Sequence, residues 1–198
     1  MNITLFSGLV EVVLREGFIY GIMAMGVYIT YKILDFPDLS VDGTFPLGAC
    51  MAAVLITAGV NPWIVCVAAF AAGACAGCVT GLLHVKLGIT DLLSGILVMT
   101  AMWSVNLILT GGTAIKQFFN MDTIFNSGPV MMLPGSLYGH RQLIMVVLIA
   151  VGVKYTLDWY LSTKNGLLLR ASGDNDQYVT NLAKDPGTMK ISGLAIGN

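Results

Sequence analysis

Four stretches without a charged residue, 17–31, 43–60, 63–83 and 92–115, with a fifth largely apolar one near 143–161, dictate what this chain can become. A hydrocarbon layer about 30 Å thick is crossed by about 20 apolar helical residues at about 1.5 Å each. The stretches meet or approach that length, and a core built from 198 residues cannot enclose several helices that are apolar all round. Charged residues make up 11% of the chain and hydrophobic ones 56%, where a soluble domain carries about 25% charged residues. The expected fold is all-α, a polytopic transmembrane helical bundle of about five spans forming a single membrane domain over residues 1–198. A net charge of −1 with no basic block argues against nucleic acid as a partner. Residues 1–16 carry Glu11, Arg15 and Glu16 and do not have the pattern of a cleavable leader. They are expected to form an interfacial lead-in to a first span over 17–33.

Polar and small residues inside the stretches carry more specific signals. Ala69, Gly73, Gly77 and Gly81 recur every four residues, which places small side chains on one helical face and lets another helix approach closely. The fourth stretch holds Ser94, Thr100, Ser104 and Asn106, and Asn106 at membrane depth needs protein or a wet cavity beside it. Cys50, Cys66, Cys75 and Cys78 all lie in apolar stretches. Cys75 and Cys78 have CxxC spacing, but no second pair or nearby His completes a metal or redox site, so the cysteines are read as packing residues. No metal and no cofactor bound by the chain is expected. Lys154 and Asp158 stand at i and i+4, close enough to pair, with Tyr155, Trp159 and Tyr160 beside them as at a membrane interface. His84 reads as interfacial. The mixed segment 111–141, with Phe118, Phe119, Phe125, Met131 and Met132, is long for a bare connection and is expected to be an external, partly structured cap.

With five spans, Lys32, Lys86, Lys154, Lys164, Arg170, Lys184 and Lys190 collect on one side and Arg15, Lys116 and Arg141 on the other. That asymmetry places 162–187 in the cytoplasm and the N-terminus outside.

Two polar segments carry the chemistry. The first, residues 35–46, holds Asp35, Asp38, Ser40 and Asp42 between two apolar stretches. The three acids would share a helical face, yet Pro37 and Gly43 make continuous helix doubtful. One reading is a broken helix lining a solute pathway, with Asp38, Ser40, Asp42 and Asn106 as candidates; the other is a solvated interfacial turn. Clustered carboxylates could also hold a divalent metal in a membrane enzyme, but no basic and glycine pattern for a phosphorylated substrate accompanies them. The second segment is 164–187. Asp174 or Asn175 can cap a helix that Pro186 and Gly187 terminate, with Tyr178, Val179 and Leu182 on one face. A helix of about ten residues is too short to stand alone and should dock into a groove on a partner.

The run Gly166-Leu-Leu-Leu-Arg170-Ala171-Ser-Gly173-Asp174-Asn175 resembles the GLxLRAxGDN cytoplasmic loop of ABC importer permeases in the branched-chain amino acid and ribose permease superfamily. Asp38-Leu-Ser-Val-Asp42-Gly-Thr-Phe, Ser94-Gly-Ile-Leu, Ser104-Val-Asn106-Leu and Gly111-Gly112 are similar to one branch of it, the permeases paired with lipoprotein binding proteins for tryptophan, tyrosine and similar solutes. The resemblance covers essentially the whole chain. It implies no covalent catalysis, a second permease copy, cytoplasmic ATP-binding subunits that consume the ATP, and an external substrate-binding lipoprotein, all at the bacterial cytoplasmic membrane. It implies that Gly166, Arg170, Ala171, Gly173, Asp174, Asn175, Tyr178 and Leu182 couple the chain to the ATPase. Val179 and Ala183 stand where the family usually has a small residue and then glycine. Residues 191–198 begin an apolar run too short to cross, so a partial sixth span and an incomplete permease, lacking roughly three further spans of about 20 residues and inactive in uptake even with its ATPase and binding protein, are expected. The rival membrane assembly is a self-contained substrate-binding subunit of the energy-coupling-factor type.

Overall fold

Asn61-Pro62 shows how local chemistry sets the helix boundaries. The Asn61 side chain accepts the Trp63 amide at 3.0 Å and Pro62 occupies the first turn, where its missing N–H costs nothing. The helix that follows, α3 (Pro62–Leu87), ends where Gly88 takes φ +67°, a left-handed position that glycine fills without strain. The structure, a computed structural model, describes residues 3–113, 116–117, 121–126 and 140–198, with side chains from Phe6 onward. Among the described residues all regular elements are helical: α1 (Ile3–Val27), a π-helical turn (Tyr28–Ile33), α2 (Val41–Thr57), α3, α4 (Asp91–Leu109), α5 (Arg141–Ser162), α6 (Lys164–Asp174), α7 (Asp176–Asn181) and α8 (Pro186–Gly197).

Four described helices are long and apolar enough to cross a membrane, Phe6–Ile33, Pro62–Leu87, Asp91–Leu109 and Arg141–Ser162, and Val41–Thr57 is a shorter apolar one. The lead-in expected over residues 1–16 is instead continuous with the first helix from Ile3. Glu11 and Arg15 find partners at the start of α5: His140, the residue before that helix, has its Nδ1 2.9 Å from Glu11 Oε2, and Arg15 donates to Gln142 Oε1 at 2.6 Å. With those groups satisfied, nothing breaks the helix. The start of α5 thus lies beside α1 near its N-terminus, and Ile33 and Leu161 at their far ends share one buried cluster, so the two helices run parallel. The cap expected over 111–141 falls largely outside the described residues.

The glycine face of α3 is occupied by α8. A Cβ on Gly81 would lie 2.8 Å from Ile191 Cα, one on Gly73 would lie 2.6 Å from the Asn198 carbonyl oxygen, and one on Gly77 would strike the Leu194 carbonyl. The antiparallel register advances one turn at a time, and only glycine permits this approach. The short apolar run 191–198 therefore packs along α3, with Gly193 and Leu194 buried and the others half-buried.

Candidate functional site

Between the π-helical turn and α2, residues 34–40 leave helical geometry, with Asp35 at φ +52°. The segment is not solvated throughout: Phe36, Asp38 and Ser40 are buried, whereas Asp35 and Asp42 are exposed. The common face of three acids does not form, because the break rotates Asp38 inward and leaves its two neighbours outside. Asp38 closes a tight turn on itself, Oδ1 accepting the Ser40 amide at 2.8 Å. Its other oxygen accepts Asn198 Nδ2 at 2.7 Å. Asn198 Oδ1 in turn accepts from Thr44 Oγ1 at 2.6 Å and Ser40 Oγ at 3.2 Å. A carboxylate, two hydroxyls and an amide thus join the start of α2 to the end of α8. Gly95 of α4 makes room for them, since a Cβ there would lie 2.9 Å from the Leu39 nitrogen and 3.3 Å from Asp38 Oδ1.

Asn106 acts one turn away. Its Nδ2 donates to the Gly43 carbonyl at 3.1 Å, across an approach so close that a Cβ on Gly43 would lie 2.8 Å from the Met99 carbonyl oxygen. That turn of α2 contains Pro46, which withdraws one backbone donor from the helix. Asn106 Oδ1 is buried with no hydrogen-bond partner, a cost of roughly 1–3 kcal/mol. Asp38, Ser40 and Asn106 are thus gathered along the start of α2, while Asp42 lies outside. Thr44, Gly95 and Asn198 belong to the same arrangement and were not singled out from sequence. Thr44 lies in the run similar to the family segment, but Asn198 comes near only through the packing of α8.

The second candidate segment is two helices rather than one. Residues 164–174 form α6, capped by Thr163, whose hydroxyl accepts the Gly166 amide. Gly166 is packed against the backbone of Tyr160 and Leu161, and Gly173 against the Ile33 carbonyl, where a Cβ would collide in each case. The motif glycines are therefore contact points. Asn175 caps α7, its side chain accepting the Gln177 amide at 2.9 Å and the Tyr178 amide at 3.4 Å. This helix is only six residues long and ends before Pro186. It stops because Ala183 adopts φ +56°, with the Ala183 amide bonding Thr180 O at 2.9 Å and the Lys184 amide bonding Val179 O at 3.2 Å, the hydrogen-bond pattern of a Schellman stop. Pro186 instead begins α8, capped by Asp185.

The expected shared face of Tyr178, Val179 and Leu182 is split. Val179 is fully buried, and Tyr178 and Leu182 are exposed at 57% and 50%. Arg170, Asp174 and Asn175 are exposed and Ala171 is half-buried. Asp176 fixes α7 in place, receiving Lys190 Nζ at 2.7 Å and Ser172 Oγ at 3.2 Å. Beneath this surface Leu169 packs with Ile29, Ile33, Leu34, Phe36, Leu161 and Leu194 in one buried cluster. The cluster therefore joins α6 to the helix break two residues before Asp38.

Other sequence features resolve as follows. The four cysteines are free, and no group of three or more His, Cys, Asp or Glu that could hold a metal occurs among the described residues. Lys154 and Asp158 pair at 2.6 Å on an exposed surface flanked by exposed Tyr155 and Trp159. His84 Nδ1 lies 2.9 Å from the Ile89 carbonyl and its ring meets Phe36 edge-on.

Residues 9–197 match the family model described as the branched-chain amino acid transport system permease component. The chain belongs to that family. It is 41% identical over 193 residues to a tyrosine transport system permease protein of Clostridioides difficile (strain R20291), covering 97% of this chain and 61% of that protein. An uncharacterised protein of Rickettsia prowazekii (strain Madrid E) is 29% identical over 178 residues, covering 89% of this chain and 59% of that protein. The chain thus spans about three fifths of the length of these relatives. No solved structure matches it. Family membership and the four described helices long and apolar enough to cross make it a multi-pass membrane permease component.

Proposed function

We propose that this permease serves an ATP-driven, binding-protein-dependent importer of a small solute, an amino acid, with tyrosine or a related aromatic one as the solute. The observation that carries the mechanism is the buried cluster in which Leu169 of α6 touches the residues leading into the Asp38 break. The exposed residues Tyr178 and Leu182 on and beside α7 dock on a cytoplasmic ATP-binding subunit, which hydrolyses the ATP. Movement of that subunit is passed through α6 to residues 34–40, because a packed interior moves as a unit rather than deforming locally. Asp38, Ser40, Thr44 and Asn106 then stand where the helix break faces the solute path, irregular backbone being tolerated at depth only beside protein or a cavity. An external substrate-binding lipoprotein supplies the solute and a second permease copy completes the path. The solute class is supported by the name of the Clostridioides difficile relative, and the orientation, with α6 and α7 in the cytoplasm of a bacterial cell, by the excess of Lys and Arg on that side.

The test is co-purification and ATP-dependent uptake of tyrosine in vesicles containing the chain, completed with a family-like continuation, together with its ATPase and binding protein. Leu182→Asp places a charge in the apolar contact, where an unpaired buried charge costs several kcal/mol. It should release the ATPase and abolish uptake. Retained association with normal uptake removes α7 from the mechanism.

A further inference from the structure

A cavity of about 610 Å³ lies between α1 and α5 on one side and α2, α3 and α8 on the other. Its volume falls within the range of small-molecule sites, roughly 300–1,000 Å³. Most of the wall is apolar and aromatic, with Phe45 from α2, Phe70 from α3, and Trp159 and Tyr160 from α5. One edge is polar, formed by Thr44 and Asn198. Thr44 Oγ1 gives its proton to Asn198 Oδ1 at 2.6 Å, so its lone pairs remain to accept from a ligand. Behind Asn198 stands Asp38, 7% exposed, linked through the amide at 2.7 Å. None of the ion pairs among the described residues involves Asp38. A carboxylate without a cation, set among apolar helices, makes this edge of the cavity negative, and low-dielectric walls concentrate that field.

We propose that the cavity is a solute subsite that holds an aromatic ring against Phe45, Phe70, Trp159 and Tyr160 and an ammonium group at the Thr44 edge, under the field of Asp38. The proposal rests on the reading of the chain as an amino-acid permease and adds the location and the chemical polarity of the contact. Among the described residues the cavity wall contains no Lys, Arg or His. The ammonium is therefore the recognised end of the solute, and the carboxylate is left to face outward.

The full chain in phosphatidylcholine nanodiscs is titrated by equilibrium dialysis with tyramine, L-tyrosine and 3-(4-hydroxyphenyl)propionate. Tyramine and tyrosine should bind saturably, and the acid, which lacks the ammonium, at least about tenfold more weakly, as befits the loss of a charged hydrogen bond. Gly152→Leu is the blocking variant. Gly152 lines the cavity and a Cβ there meets nothing within 4 Å, so the new side chain fills the space without displacing backbone. It should lower tyramine affinity about tenfold or more, and Thr44→Val should narrow the preference for amine over acid; circular dichroism checks that both variants remain helical. Equal binding of amine and acid, an unaffected Gly152→Leu, or no binding of any probe because an acyl chain fills the cavity overturns the proposal. Loss of ATP-dependent uptake with the tyramine pattern intact would fail the transport reading alone. Uptake insensitive to Gly152→Leu would fail the subsite alone.

Discussion

Replacing Gly81 by alanine tests the packing on which the Asp38–Asn198 contact depends. The new Cβ would lie 2.8 Å from Ile191 Cα, 3.0 Å from its Cγ1 and 3.2 Å from its Cβ. Carbon atoms rest at about 3.5–4.0 Å, so the neighbouring helix must retreat by roughly 1 Å or tilt. Ile191 can turn its side chain away, but the Cα belongs to the backbone of α8 and cannot be moved alone. Overpacking of this kind costs about 1–3 kcal/mol, against which alanine recovers about 1 kcal/mol of helix propensity. The control is Gly152→Ala, where the same propensity gain comes with nothing within 4 Å of the new Cβ. Reversible unfolding in mixed detergent micelles, followed by circular dichroism, should rank Gly152→Ala at or above the parent and Gly81→Ala below both. If Gly81→Ala matches Gly152→Ala, α8 does not sit on the glycine face of α3.

Other expectations concern α7 and the start of α8. Ala183 holds φ +56°, a conformation costing an L-residue about 1–2 kcal/mol, so Ala183→Gly should stabilise the α7 stop by up to about 1 kcal/mol after glycine's chain-entropy cost; slower amide exchange at Lys184, whose N–H bonds Val179 O, would register it. Asp185 is held below the usual carboxylate range by the Thr188 hydroxyl and then by the Gly187 amide, which donate to its charged form. Because its folded pKa is depressed, the cap's contribution is complete above the unfolded value of about 3.9 and is lost as pH falls through the folded one; exchange at the start of α8 should rise in that acid window, and Asp185→Ala should remove the pH dependence.

Much of the helical arrangement is legible in composition alone, because apolar length and glycine spacing act locally. The four-residue recurrence from Ala69 to Gly81 indicated a close helix contact. What sequence left open depended on distant partners. The lead-in charges Glu11 and Arg15 argue for an interface only until His140 and Gln142 meet them. Gly166 and Gly173 read as loop residues, yet each is where a neighbouring backbone passes. Helical spacing grouped Asp35, Asp38 and Asp42, and the break at residues 34–40 separated them. Asn198 became a site residue only through its register on α3, which no local pattern encodes.

The junction of α2 with α8 at Asn198 is tested most directly by disulfide trapping in native membranes, in a background with Cys50, Cys66, Cys75 and Cys78 replaced. Thr44 Oγ1 and Asn198 Oδ1 are 2.6 Å apart, so Thr44→Cys with Asn198→Cys should cross-link rapidly under mild oxidation, whereas Asp42→Cys with Asn198→Cys, its first position exposed where Thr44 is buried, should not. Cross-linking of the 42/198 pair in preference to the 44/198 pair, or of neither, would contradict the placement of the helix break against the end of α8.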